Sequence, residues 1–172
     1  MLAYLFVVLA VAVRFIPHPF AFTPVAAALL FFGARGSRRQ AWIPVLLLIG
    51  SDLVLTSVLY RYPLRPDQLI IWAWYAAMVL LGGMLRQNAG PARVVGASLT
   101  AAVSFFLASN FAVWLGWTMY PMTLGGLADC YLAAIPFFRN ELVSDVLFTA
   151  AMFSIPALQR KLAGFATSSS AA

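Results

Sequence analysis

Three carboxylates stand inside apolar runs of this sequence: Asp52, Glu141 and Asp145. A charged side chain in hydrocarbon costs at least ~2.5–3.5 kcal/mol on insertion scales, so such a group is expected to face the interior of a helix bundle, where a partner or water offsets the cost. Their surroundings support this. Asp52, Thr56 and Tyr60 recur every four residues, as do Glu141, Asp145 and Thr149, so each set makes a polar stripe along one helix face. Asn110 supplies a third polar group at a similar depth. The chemistry this allows is a ligand cavity floored by Asp52, Asn110 and Asp145, with Glu141, Tyr60 and Arg14 at its edge. The alternative is that the same groups only hold helices together, an effect of order 1 kcal/mol per hydrogen bond.

The remaining reactive side chains narrow the choice. Arg14 and Arg139 can act as counter-ions to the acids. His18, between Pro17 and Pro19, sits on a rigid turn and is either a structural residue or a gate that titrates near neutrality. A single Cys, Cys130, excludes an internal disulfide and reads as a small buried hydrophobe. A single His excludes a metal site built from several such ligands, and no cofactor is expected. Asp52 and Asp145 could in principle share a proton as an aspartyl dyad. Gly50-Ser51-Asp52 lacks the second glycine of intramembrane aspartyl proteases, however, and there is no Ser-His or zinc pattern, so an enzyme is not expected.

The elements that must carry these residues follow from composition. Of 172 residues, 63% are hydrophobic and 9% charged, against roughly 45–50% and about 25% in soluble domains. That excludes an ordinary soluble domain, a disordered chain and a nucleic-acid binder, despite the net charge of +6. Clusters of Pro, Gly and Arg divide the chain into apolar helices. Their expected ranges are 2–15, 20–34, 41–60, 68–85, 92–117 and 139–158. The stretch 118–138, interrupted by Pro121, Gly125-Gly126 and Pro136, predicts a loop and a short extra helix before the last span. The first apolar run lacks the basic start and cleavage pattern of a signal peptide and reads as a retained span. The expected fold is therefore all-α, a polytopic bundle of six transmembrane helices over residues 1–162, with a Ser-rich disordered tail at 163–172.

Six spans place both termini on one side. Seven basic residues (Arg35, Arg38, Arg39, Arg86, Arg93, Arg160 and Lys161) then share that side, against Arg14, Arg61, Arg65 and Arg139 opposite, which predicts N-in and C-in. The cavity opens outward in that orientation. Trp72, Trp74, Trp114 and Trp117 fall toward the outer face, as an interfacial belt or in part as a pocket wall for a flat ligand. Gly96, Thr100, Ser104, Ala108 and Ala112 form a small-residue stripe that predicts a close helix crossing within the chain.

Several strings carry a resemblance. Residues 19–27 (PFAFTPVAA), Ser51-Asp52-Leu53, residues 109–114 (SNFAVW) and the run from Gly125 to Asp145 resemble an uncharacterised family of small bacterial six-helix integral membrane proteins. In length and layout that family resembles the substrate-binding S components of energy-coupling-factor transporters; the membrane subunit of the bacterial rod-shape machinery is also similar in size. The first resemblance implies a multi-pass protein of the bacterial inner membrane, binding a small-molecule solute from outside and handing it to a transmembrane coupling subunit and ATPases. The other expectation is a structural or assembly subunit with no ligand. Where S components carry small residues four apart on the first helix, this chain has Ala10 followed by Arg14. The lipid bilayer is the partner common to both readings, and nucleic acid is a partner in neither.

Overall fold

The computed structural model describes residues 1–17 and 21–169, and among them the chain is an all-α, six-helix bundle without strands. The helices are α1 (Leu2–Val13), α2 (Val25–Arg35), α3 (Trp42–Leu53), α4 (Gln68–Met84), α5 (Pro91–Gly116) and α6 (Leu124–Ser169). A 3-10 turn at Arg38–Gln40 precedes α3, and a π-helix over Val54–Leu59 continues it.

The boundaries lie where the punctuating residues are. Pro91 opens α5 at a position whose amide has no helical partner in any case, and the Asn88 side chain accepts from the Gly90 amide just before it. Thr123 Oγ1 accepts from the Gly126 amide and caps the start of α6. At the end of α2, Arg86 Nη2 donates to the Gly36 carbonyl at 2.8 Å, tying the α2–α3 and α4–α5 connections together.

The centre of the bundle is α2. Every residue from Val25 to Ala34 is buried, as an all-round apolar helix must be when its neighbours cover it on all sides. It packs against α1, α4, α5 and α6. The tightest crossing is with α4: a Cβ on Gly33 would lie 2.1 Å from the Val79 carbonyl oxygen, and one on Gly82 2.2 Å from that of Leu30. The two backbones therefore touch at these glycines. The predicted close-packed stripe on α5 is engaged along its second half only: Gly96 faces open space and Thr100 is exposed, whereas Ser104 accepts from Trp74 Nε1, Ala108 packs on the core and Ala112 is buried. In the first half of α5 the buried small face is instead Ala97, Ser98, Ala101 and Ala102, a quarter-turn round the helix.

A second difference concerns the last helix. The short extra helix and the last span form one continuous element, with Pro136 and Pro156 inside it. The stretch around Pro136 packs along α5: Tyr131 donates to the Leu107 carbonyl at 2.8 Å, Cys130 Sγ to that of Asn110 at 3.4 Å, and the Phe138 ring meets that of Phe106 at 4.8 Å. Residues 124–138 are thus a wall of the bundle rather than a surface loop. The helix also continues through 163–169, most of the segment expected to be a disordered tail, while 170–172 lie outside the described residues.

The outer faces of the bundle are apolar. On α5, Val95, Leu99, Val103, Leu107, Phe111 and Leu115 are all exposed at a spacing of four, one stripe down the length of the helix. Comparable faces are exposed on α3 (Leu46, Leu47) and the π-helix that continues it (Val54, Val58), and on α1 (Leu5, Val8, Leu9). Two helical stretches, Arg38–Leu59 and Pro91–Gly116, are long and apolar enough to cross a membrane by length and composition.

Candidate functional site

A cavity of about 350 Å³ lies between α1, α2, α3, α4, α5 and α6. Its polar lining is Arg14, Thr23, Asp52, Thr56, Tyr60, Glu141 and Asp145, and its aromatic wall is Trp74, Tyr75 and Phe105. Of the residues singled out from the sequence, Arg14, Asp52, Tyr60, Glu141 and Asp145 meet here. Asn110 does not. Its Nδ2 donates to the Phe106 carbonyl one turn back, at 2.7 Å, and it is absent from the cavity lining. His18 lies outside the described residues.

The two buried aspartates have opposite environments. Arg14, the residue that ends α1, reaches across to α3 and pairs with Asp52 Oδ1, while its Nη1 bonds Ser51 Oγ and approaches the Leu48 carbonyl at 3.5 Å. Trp72 Nε1 donates to Asp52 Oδ2 at 2.9 Å, and the Tyr75 hydroxyl lies 3.3 Å from Oδ1. Asp52 thus has three donors from α1 and α4 and is committed to them. Trp72 and Tyr75 were not assigned to this role from sequence; the available signal was two donor-bearing aromatics three residues apart on α4, which had to find an acceptor once buried.

Asp145 is 4% exposed, and its Oδ2 is buried without a hydrogen-bond partner. Glu141, one turn earlier on α6, lines the same cavity. Neither acid is in a salt bridge among the described residues, where the ion pairs are Arg14–Asp52 and Arg65–Asp67. Arg139 is exposed and does not pair with the acids as a counter-ion among those residues. The wall is fixed around them: Ser144 Oγ donates to the Thr23 carbonyl at 2.9 Å, holding the strand of chain before α2 against α6. Trp74 Nε1 bonds Ser104 at 2.9 Å and its ring meets Phe105 at 4.8 Å.

The π-helix contributes the floor. Tyr60 N–H bonds the Leu55 carbonyl at 2.8 Å, five residues back, and the wider turn lets both Thr56 and Tyr60 reach the cavity. Gln68 Nε2 donates to Thr56 Oγ1 at 3.1 Å, and Arg61 closes the segment with φ 56°, left-handed backbone on a non-glycine residue.

The tryptophans are more engaged than an interfacial belt requires. Trp72 and Trp74 bond inside the bundle, Trp114 Nε1 donates to the Pro121 carbonyl at 3.0 Å, and Trp117 Nε1 to Asp67 Oδ2 at 3.0 Å. Arg65 lies 5.0 Å over the Trp117 ring, so the α3–α4 connection is clasped to the end of α5. A second hollow of about 430 Å³ lies near the other end of α5 and α6, between Arg35, Val94, Ser98, Thr149 and Phe153. The hydroxyls of Ser98 and Thr149 are buried without protein partners. No group of three or more His, Cys, Asp or Glu is placed to hold a metal among the described residues.

Fold and site together define an all-helical bundle with an apolar exterior and an acidic, aromatic-walled interior cavity. Residues 1–167 match the model of a family of unknown function, DUF6580, and the chain belongs to that family. No curated protein and no solved structure matches the chain.

Proposed function

We propose that this protein is a multi-pass protein of the bacterial inner membrane that binds a small solute in the cavity between its helices, for uptake through a transport partner. The observation that carries the reading is an apolar exterior around a core that also holds polar and charged side chains. Ser51, Asp52, Ser98, Ser144, Asp145 and Thr149 are buried, while large apolar side chains are exposed on α1, α3, α4, α5 and α6. A water-exposed surface of this kind would aggregate, whereas a lipid-exposed one is solvated by the bilayer. α5 is about 39 Å long at 1.5 Å per residue, ample for a hydrocarbon core of about 30 Å. A hollow of 350 Å³ is in the range of small-molecule sites, and polar groups converge on it from four helices.

Packing alone accounts for Asp52, which has its partners, but leaves Asp145 unsatisfied. A bound solute supplies what Asp145 lacks. Because Asp52 is committed to Arg14, Trp72 and Tyr75, it is poorly placed to share a proton with Asp145, which favours binding over hydrolysis. The test is native mass spectrometry of the full chain purified in mild detergent. A retained small molecule is expected on the wild type and not on Thr56→Trp, which fills the cavity; a bare wild-type mass in several detergents would favour the assembly-subunit reading instead.

A further inference from the structure

We infer that the solute is a small organic cation, an amine or quaternary ammonium, held by Glu141 and Asp145 against the aromatic wall of Tyr60, Trp74, Tyr75 and Phe105. The inference rests on the solute-binding reading above and adds the ligand's charge and class. Its first support is charge accounting at the cavity surface. The described lining contains one basic residue, Arg14, and three acids, Asp52, Glu141 and Asp145. Arg14 is taken up by Asp52, which leaves two carboxyl groups one turn apart on α6 with no ion-pair partner among the described residues. Burying an acid away from water is costly unless a positive partner compensates, and Asp145 Oδ2 has neither a partner nor solvent. A cationic donor meets both needs at once, the hydrogen bond to Asp145 and the charge of the two acids.

The second support is the wall, which distinguishes an organic cation from a metal ion. Aromatic faces attract ammonium groups by their quadrupole, most strongly where water is excluded. A divalent ion would instead take six or more oxygen ligands or several nitrogen and sulfur donors, and no cluster of three His, Cys, Asp or Glu is present among the described residues. The hollow also exceeds what an ion needs: about 350 Å³ accommodates an amine with a ring or short chain attached. The apolar lining, Val25, Ala26, Leu55 and Phe105, suits that attached portion.

The experiment uses the full chain with Cys130→Ala and Thr56→Cys, in nanodiscs that leave both faces accessible. The cavity cysteine is treated with cationic methanethiosulfonate ethyltrimethylammonium and, separately, with anionic methanethiosulfonate ethylsulfonate, and the two rates are compared with those of a free thiol. A cation-selective cavity raises the cation-to-anion rate ratio about tenfold or more over the free thiol. Glu141→Gln with Asp145→Asn should return the ratio to the free-thiol value, and Glu141→Gln alone, at a half-buried position, part of the way. Phenethylammonium should slow labelling, and phenylacetate of the same size should not. Reaction by both reagents at the free-thiol ratio, or protection by phenylacetate instead, would overturn the cation assignment and leave the cavity reading intact. No reaction with either reagent would show a cavity closed to solutes, and the underlying reading would fall with the inference.

Discussion

Asp52 and Asp145 look equivalent in the sequence, each a lone acid in an apolar helix, yet they call for opposite consequences on substitution. Asp52 is one half of a buried ion pair, and removing its partner leaves an uncompensated charge. Arg14→Met is therefore expected to destabilise the bundle by about 3–5 kcal/mol, read as a lower melting temperature in detergent. Adding Asp52→Asn to it should recover part of that loss, because the amide oxygen can still accept from Trp72 and its NH2 can donate to the Tyr75 hydroxyl while the stranded charge is gone. Asp145 has no such pairing to lose. Asp145→Asn keeps size and should hold the melting temperature while the retained solute disappears from the native mass spectrum. A lowered melting temperature with the solute still bound would identify Asp145 as packing glue.

At the scale of elements, the crossing of α2 and α4 is the least forgiving contact. Gly33→Val or Gly82→Val drives a side chain into the facing backbone at 2.1–2.2 Å from its Cβ, and each should cost about 3 kcal/mol or more. Gly96→Val on α5, where nothing lies within 4 Å, should stay within about 0.5 kcal/mol, as thermal melting of the three variants would show. The contrast also marks what could be read from the sequence. Helix limits were legible because Pro, Gly and Arg clusters end apolar helices: α4 and α5 begin and end within a residue of their predicted ranges. Which glycines touch was not, because spacing of four identifies a face without identifying its neighbour. The continuity of α6 was hidden by Pro136, which removes one amide donor but is tolerated where neighbouring helices support the backbone. The acids of the cavity were legible because burying them is costly enough to force them inward. Asn110 misled because an amide can satisfy itself on its own helix, here on the Phe106 carbonyl, and needs no cavity at all.

For the molecule as a whole, the proposed orientation depends on which basic residues lie in the connections between helices. Arg14 and Arg139 were counted among the basic residues of the outer side. Arg14 is instead drawn into the bundle by Asp52, and Arg139 directly follows Phe138, which packs on Phe106 of α5, so neither is a loop charge. The outer connections then retain Arg61 and Arg65, while the opposite side keeps Arg35, Arg38, Arg39, Arg86 and Arg93 before the end of the chain is counted. The bias that orients membrane helices is set by basic residues in short loops near the span ends, and this distribution is the one expected of the proposed N-in, C-in arrangement. In that proposed arrangement the α1–α2 connection, with Thr23 on the cavity wall, lies at the outer face. Ser37 and Leu64 are both exposed and lie on opposite sides of the bundle in this arrangement. With Cys130→Ala as background, Leu64→Cys in intact cells should react with an impermeant maleimide, and Ser37→Cys only after the membrane is opened. The reverse pattern would place the cavity mouth toward the cytoplasm, which would make the bound solute an export substrate or an internal signal rather than a nutrient captured from outside.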